Sequence, residues 1–412
     1  MKKLFLICAF LIASQFFAQE DAWVYLKDKP NSESYLANPL KMLSQRALDR
    51  RVRQNIEVDV IDVPIDDAYY SQIESASGIT VAAKSKWLNA IHLIGQQEDI
   101  NNLISNFSFI ERIEFANDGL NAKGKRTKHS AQSNHKNKFA EMKADYNYGL
   151  AENQITMLNG DFLHSEGYTG SGMLIAVIDA GFPNVDVLPA FQRLRDNNQI
   201  LGGYDFVNRS EIFFTGHNHG TNVLSDIAGY LEGVFVGTAP DASFYLFRTE
   251  KADEEIPLEE SLWVEAAERA DSLGVDVINT SLGYTTFDNP NYNYSYEDMD
   301  GKTAFISRGA EIGASRGMIL VNAAGNSGSG SWKYMGAPAD AASVFTIGAV
   351  NASENIASFS SFGPTADNRI KPDVLAQGQN VYVIDHVTGT PILSNGTSFS
   401  SPVMTGVVAC FW

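Results

Sequence analysis

From Tyr148 onward, short apolar runs alternate with longer helical stretches. Residues 173–178 are apolar without a break, as a strand covered on both faces of a parallel sheet must be. Residues 243–247, 275–279, 318–322 and 344–348 look similar. Helical spacing separates several of them over 221–231, 258–273 and 303–315. Such alternation predicts an α/β fold on a doubly wound, mostly parallel sheet, with the site at the carboxyl ends of the strands. From Val403 to Trp412 the last element is apolar on every face apart from Thr405, which predicts a buried central helix. It stops without a polar exit, so further covering elements are expected after Trp412.

The preceding residues follow a different rhythm. Strands are expected at 23–26, 78–81, 90–94 and 110–115, and helices at 39–53 and at 99–106, the second with Asp99 as its N-cap. Strand-helix-strand-strand-helix-strand predicts a small α+β domain of ferredoxin-like order over 20–116. A polar linker over 117–147 carries Lys123, Lys125, Arg126, Lys128, Lys136 and Lys138. It reads either as merely solvated chain or as a site of proteolytic nicking. At the start, Lys2-Lys3, an apolar run over 4–17 and Ala18-Gln19 predict a signal peptide over 1–19 and a secreted product, with no membrane segment after its removal. A buried N-terminal helix is the alternative.

Composition narrows the partners. At 412 residues, two or more domains are expected, and 44% hydrophobic with 19% charged residues is a globular balance. A formal net charge of -18 argues against nucleic acid. Of the two cysteines, Cys8 lies in the expected leader and Cys410 near the end, so neither a disulfide nor a cysteine metal site survives processing.

Three functional groups sit at element boundaries beside glycine: Asp179 before Ala180-Gly181, His219 before Gly220-Thr221, and Ser398 after Gly396-Thr397. An aspartate, a histidine and a serine in this order fit acyl transfer to serine. Ser398 would be the nucleophile, with a helix N-cap as the alternative. His219 would be the base, since its unperturbed pKa lies near neutrality. His217 would line the loop, and a metal role for the two histidines is the other reading. Asp179 would orient the imidazole, because a carboxylate ending an apolar strand is costly without a partner. Asn326, after Ala323-Ala324-Gly325, would donate its amide to an oxyanion.

Over 148–412 the sequence resembles the subtilisin-like (subtilase) serine peptidases. The likeness also includes Gly167-Tyr168-Thr169-Gly170, Asn279-Thr280-Ser281-Leu282-Gly283, Gly325-Asn326 and Lys371-Pro372-Asp373-Val374. The resemblance implies endopeptidase activity on polypeptide substrates. It also implies that the N-terminal unit is a propeptide, an intramolecular inhibitor released by self-cleavage in the basic linker. Ser281, Leu282 and Gly283 would pair with an extended peptide. Ala323, Ala324 and Gly325 would wall the first specificity pocket, with Gly336 as its floor; tight packing is the alternative. Ala180 stands where the family usually has Ser or Thr, for which a modest rate effect is expected. No cofactor is needed for the chemistry, and structural calcium is left open: residues 229–234 replace the asparagine-bearing loop that holds it in many relatives. Residues 284–300 form a long acidic insertion, read as a surface loop or a cation site. The expected protein is a secreted, self-processing serine endopeptidase. Two other readings are a secreted binding protein on a dead peptidase fold and a metal-dependent hydrolase using His217 and His219.

Overall fold

A computed structural model describes residues 19–121 and 146–412, so the expected leader and most of the basic linker lie outside the described residues. In the N-terminal unit the main elements are β1 (Glu20–Leu26), α1 (Gln45–Gln54), β2 (Ile79–Ser85), β3 (Ala90–Gly95), α2 (Gln97–Asn106) and β4 (Ile110–Phe115), with two further short helices at Ser32–Leu36 and Asp67–Glu74 that the sequence reading did not expect. The strands pair antiparallel in the order β2-β3-β1-β4, the ferredoxin-like arrangement. Two local expectations fail. The helix expected from residue 39 begins only at Gln45: Ser44 caps it by accepting the Ala47 N–H at 3.2 Å, and Pro39–Lys41 forms a separate 3-10 turn. Gln96, not Asp99, is the N-cap of α2; Asp99 sits inside the first turn, where its charge suits the helix dipole.

The larger unit contains β5 (Leu174–Asp179), β6 (Ile200–Asp205), α3 (His219–Ala228), β7 (Ser243–Arg248), α4 (Leu258–Leu273), β8 (Val277–Thr280), α5 (Phe305–Ser315), β9 (Ile319–Ala323), β10 (Phe345–Val350), β11 (Val374–Gln377) and α6 (Thr397–Phe411). The sheet runs β11-β10-β9-β8-β5-β7-β6 with every pairing parallel. This is the doubly wound α/β sheet expected from the sequence. Both edge strands escaped the sequence reading. Gly202-Gly203 interrupt β6, and β11 is only 4 residues long, so neither has a sustained apolar run. The helix expected to reach residue 231 stops at Ala228, after which Tyr230–Leu231 pairs with Phe235–Val236 as a short hairpin.

Alternate residues of β5 serve opposite layers. Ile175 and Val177 pack with Val223 and Ile227 of α3 and Val403 of α6; Ala176 and Ile178 pack with Leu262 and Ala267 of α4 and Phe305 of α5. Helices on both faces explain why β5 is apolar throughout. On α6 the buried Ser401 and Thr405 both donate to Asn279 Oδ1 of β8, at 3.1 and 2.8 Å. No helix among the described residues is long and apolar enough to cross a membrane.

The N-terminal unit docks on α4 and α5. The Trp23 ring stacks on Phe305 with centroids 4.9 Å apart, and its indole donates to Ser261 Oγ at 2.8 Å. Arg50 and Arg51 of α1, each 1% exposed, converge on fully buried Asp271 of α4. Arg51 also forks onto Asp62 at 2.8 and 3.1 Å. Taking away Asp271 would leave buried Arg50 without an ion-pair partner among the described residues and Arg51 dependent on Asp62. Asp271→Ala should therefore cost about 3–5 kcal/mol of stability, read by denaturant unfolding of the whole chain. An unchanged unfolding midpoint and slope would refute that account.

Candidate active site

Asp179 ends the central strand β5 and is 2% exposed. His219 opens α3, and Gly220 behind it permits the close approach: a Cβ at 220 would lie 2.4 Å from the Gly181 carbonyl oxygen and 3.0 Å from Asp179 Cβ. His219 Nδ1 consequently sits 2.8 Å from Asp179 Oδ1, which also accepts the Ala180 N–H at 2.7 Å. A carboxylate accepts, so Nδ1 carries the proton and Nε2 is left as an acceptor. Asp179 Oδ2 is buried without a hydrogen-bond partner, and Ala180 has no hydroxyl to offer it. Burial opposes charge on the imidazole, but the Asp179 charge and hydrogen bond outweigh it, so His219 is raised above its ordinary value. His217 accepts the His219 backbone N–H at 3.3 Å and lies in the same wall.

Ser398 is the second residue of α6, after the N-cap Gly396 at φ 154. The Thr397 N–H and Oγ1 both donate to Asn326 Oδ1, at 2.8 and 3.1 Å, while Thr397 Oγ1 accepts the Gly325 N–H at 3.0 Å. With its oxygen engaged, Asn326 presents its Nδ2 donor. A Cβ built on Gly396 would lie 3.6 Å from Asn326 Nδ2 and 3.6 Å from the Ser398 backbone nitrogen. Two N–H donors thus flank one small space that a side chain at 396 would fill. The Ser398 hydroxyl donates to the Ser281 carbonyl at 3.2 Å, so its own hydrogen bond runs to β8's end and not to the imidazole. The His219 ring nonetheless lies beside the helix tip, 5.8 Å from the ring of Phe399.

A cleft of about 480 Å³ opens from Asp179, His217, His219, Ser281 and Leu282 and runs past Glu250 to Glu255 and Asp288. Of the other expected substrate contacts, Gly283, Ala323, Ala324, Gly325 and Gly336 do not line it. Ala324 packs with Met335 and Ala339, and a Cβ on Gly336 would lie 2.8 Å from the Tyr284 carbonyl oxygen, so both occupy tight packing. Gly283 precedes Tyr284, whose backbone pairs with Ala337 at 2.8 and 3.0 Å.

The acidic wall was missed in the sequence, although it follows the carboxyl end of β7, the same kind of position that drew attention to Asp179. Tyr284 donates to Glu250 at 2.5 Å, and burial, helped by Asp288, pushes Glu255 up to about 7. Asp288 ties the insertion to this wall, its N–H donating to the Glu255 carbonyl at 2.9 Å. Elsewhere in the insertion, Asp298 accepts from Ser295 and Asp300 from the Lys302 and Thr303 N–H groups. Residues 229–234 do not fit a strong calcium site: they form the short hairpin, and Glu232 accepts the Tyr230 hydroxyl. Among the described residues no group of three or more His, Cys, Asp or Glu is arranged to hold a metal.

The parallel α/β sheet thus carries an Asp–His pair and a serine-tipped helix at its carboxyl edge, where sites of such sheets lie. Comparison with known proteins gives the family. A model of the subtilase family matches residues 170–412, and the Peptidase S8 propeptide domain, Bacteroidota, matches residues 21–136. The chain belongs to the subtilase family. It is 33% identical to subtilisin NAT of Bacillus subtilis subsp. natto over 258 residues, 62% of this chain and 59% of that protein. With subtilisin DY of Bacillus licheniformis it shares 31% identity over 258 residues, 62% of this chain and 82% of the relative. The structure of prenylagaramide maturation protease PagA superposes with a TM-score of 0.48 at 23% identity, covering 61% of this chain and 79% of that one.

The Asp–His contact makes a prediction independent of turnover. By NMR, His219 should titrate above the ordinary value of about 6.5, and Asp179→Asn should bring it below that value because only burial then acts. A raised folded pKa means the ion pair stabilises the fold fully below the unfolded pKa and stops doing so as pH rises through the folded one. A His219 titration that ignores Asp179→Asn would contradict the geometry.

Proposed function

We propose that the chain is a secreted serine endopeptidase made as a self-processing zymogen. Residues 1–19 would be its signal peptide, 20–116 its propeptide, 117–147 the basic maturation segment and 148–412 the peptidase. The observation that carries this reading is the joined pair, His219 Nδ1 on Asp179 with Nε2 free, beside a helix tip that offers Ser398 and its N–H, with Asn326 Nδ2 as a second donor next to it.

In the first step the Ser398 hydroxyl leaves the Ser281 carbonyl, gives its proton to His219 Nε2 and attacks the scissile carbonyl carbon. The oxyanion forms between Asn326 Nδ2 and the Ser398 N–H, near the dipole-favoured start of α6. Asp179 steadies the imidazolium, which then protonates the departing amine and leaves an acyl-enzyme on Ser398. Water, deprotonated by His219, releases the acid. An extended polypeptide suits the open cleft, with Ser281, Leu282 and Gly283 alongside its backbone. Ala323 and Gly325 are the proposed surroundings of the side chain before the cut, supported by Ala324 and Gly336, which are held in tight packing. No cofactor enters these steps.

Ser398→Ala should abolish peptide hydrolysis and leave the propeptide attached; undiminished processing of that variant, purified alone, would defeat self-cleavage. An organophosphonate should label Ser398 in the unsubstituted chain, and a chain that resists the probe and cleaves no peptide is not a serine peptidase. Asn326→Ala should slow turnover roughly 100- to 1,000-fold, the loss known for such a donor in a subtilisin. A smaller change would remove Asn326 from the anion hole.

A further inference from the structure

An α-helix satisfies each backbone carbonyl with the N–H four residues later. For Ser398 that donor would come from residue 402, which is proline and has no N–H; the proline ring also crowds the carbonyl it fails to serve. The Ser398 carbonyl is met from outside the helix instead. Ser281 Oγ donates to it at 2.9 Å. Ser281 is itself 5% exposed and accepts from Asn279 Nδ2 at 3.2 Å, and Asn279 Oδ1 in turn receives Ser401 and Thr405 from the next turns of α6.

We propose that Ser281 is a positioning residue for the nucleophile: its hydroxyl replaces the helical donor that Pro402 cannot supply to the Ser398 carbonyl. This rests on the reading of Ser398 as nucleophile given above. Ser281 touches Ser398 twice, because its own carbonyl accepts the Ser398 hydroxyl. Two contacts on one residue fix both the height and the rotation of the helix tip. Without the Ser281 hydroxyl, a half-buried carbonyl in the first turn would lose its partner, and that loss is costly enough to shift the turn. The shift would carry Ser398 Oγ and the Ser398 N–H away from imidazole and anion hole together. Asn279 acts one step further back, holding the Ser281 hydroxyl in the orientation that donates forward.

The test is a double-substitution cycle in the full 412-residue chain, read by the rate of organophosphonate labelling and by kcat and KM on a quenched peptide. Ser281→Ala should slow labelling and kcat about tenfold, the size of one lost hydrogen bond, and leave KM nearly unchanged. Ser281→Thr, which keeps the hydroxyl, should restore most of the rate. Pro402→Ala gives the helix its missing donor, and in that background Ser281→Ala should cost much less. Hydrogen exchange should show the new amide at 402 protected.

An equal cost of Ser281→Ala with and without Pro402 would overturn the proposal. So would a threonine variant as slow as the alanine one, an arm that holds even if Pro402→Ala folds poorly. If the unsubstituted chain takes no label and cleaves nothing, the peptidase reading falls and the positioning role falls with it. Normal labelling with an additive cycle removes the positioning role alone.

Discussion

One polar network holds the amino end of α6 against the carboxyl end of β8, between layers that pack mainly through apolar side chains. Asn279, Ser281, Ser398, Ser401 and Thr405 form a connected set of donors and acceptors there. Apolar packing alone tolerates sliding, since a methyl group is content beside many neighbours. Buried hydroxyls and amides are not, because each unmatched group is penalised. The contact therefore fixes the register of helix on sheet. The space between Asn326 and Ser398 inherits its geometry from that register.

The propeptide interface uses the same physics with full charges. Arg50 and Arg51 are buried where Asp271 of α4 meets them, and Asp62 of the N-terminal unit itself also pairs with Arg51. Such pairs add little net stability relative to an apolar contact, but they penalise every arrangement in which a partner is missing. They specify where the N-terminal unit sits on α4. Near the cleft the balance differs: Glu250, Glu254, Glu255 and Asp288 line it together with Lys251, whose ammonium donates to Glu254 at 2.8 Å and whose backbone N–H donates to Glu259 at 2.7 Å. Burial raises Glu250 and Glu255, so part of the wall holds its protons at a pH where free carboxylates would have lost them.

Much of this was legible in the chain. Unbroken apolar runs marked the central strands, because a strand covered on both faces has no position where a polar residue is comfortable. The glycine near each of Asp179, His219 and Ser398 signalled sharp turns; Gly181 and Gly396 have that role at φ 151 and 154, while Gly220 lies inside α3 and permits a close approach instead. Edge strands β6 and β11 were invisible because one-sided pairing needs only a weak pattern. The Asp253-Glu254-Glu255 run was passed over because, read locally, a charge run is indistinguishable from an ordinary solvated surface.

The sequence by itself determined the alternation of strands and helices, the separate N-terminal unit and the three element ends where Asp179, His219 and Ser398 sit. Those are matters of periodicity and of residue chemistry near in the chain. Only the tertiary structure decided that Ser281, 117 residues before Ser398, faces its carbonyl, that Glu255 and Asp288 share a cleft with His219, and that Gly336 is held in packing outside that cleft. The reason is physical: a local pattern says which face of an element is buried. What it is buried against depends on the order in which strands assemble into the sheet.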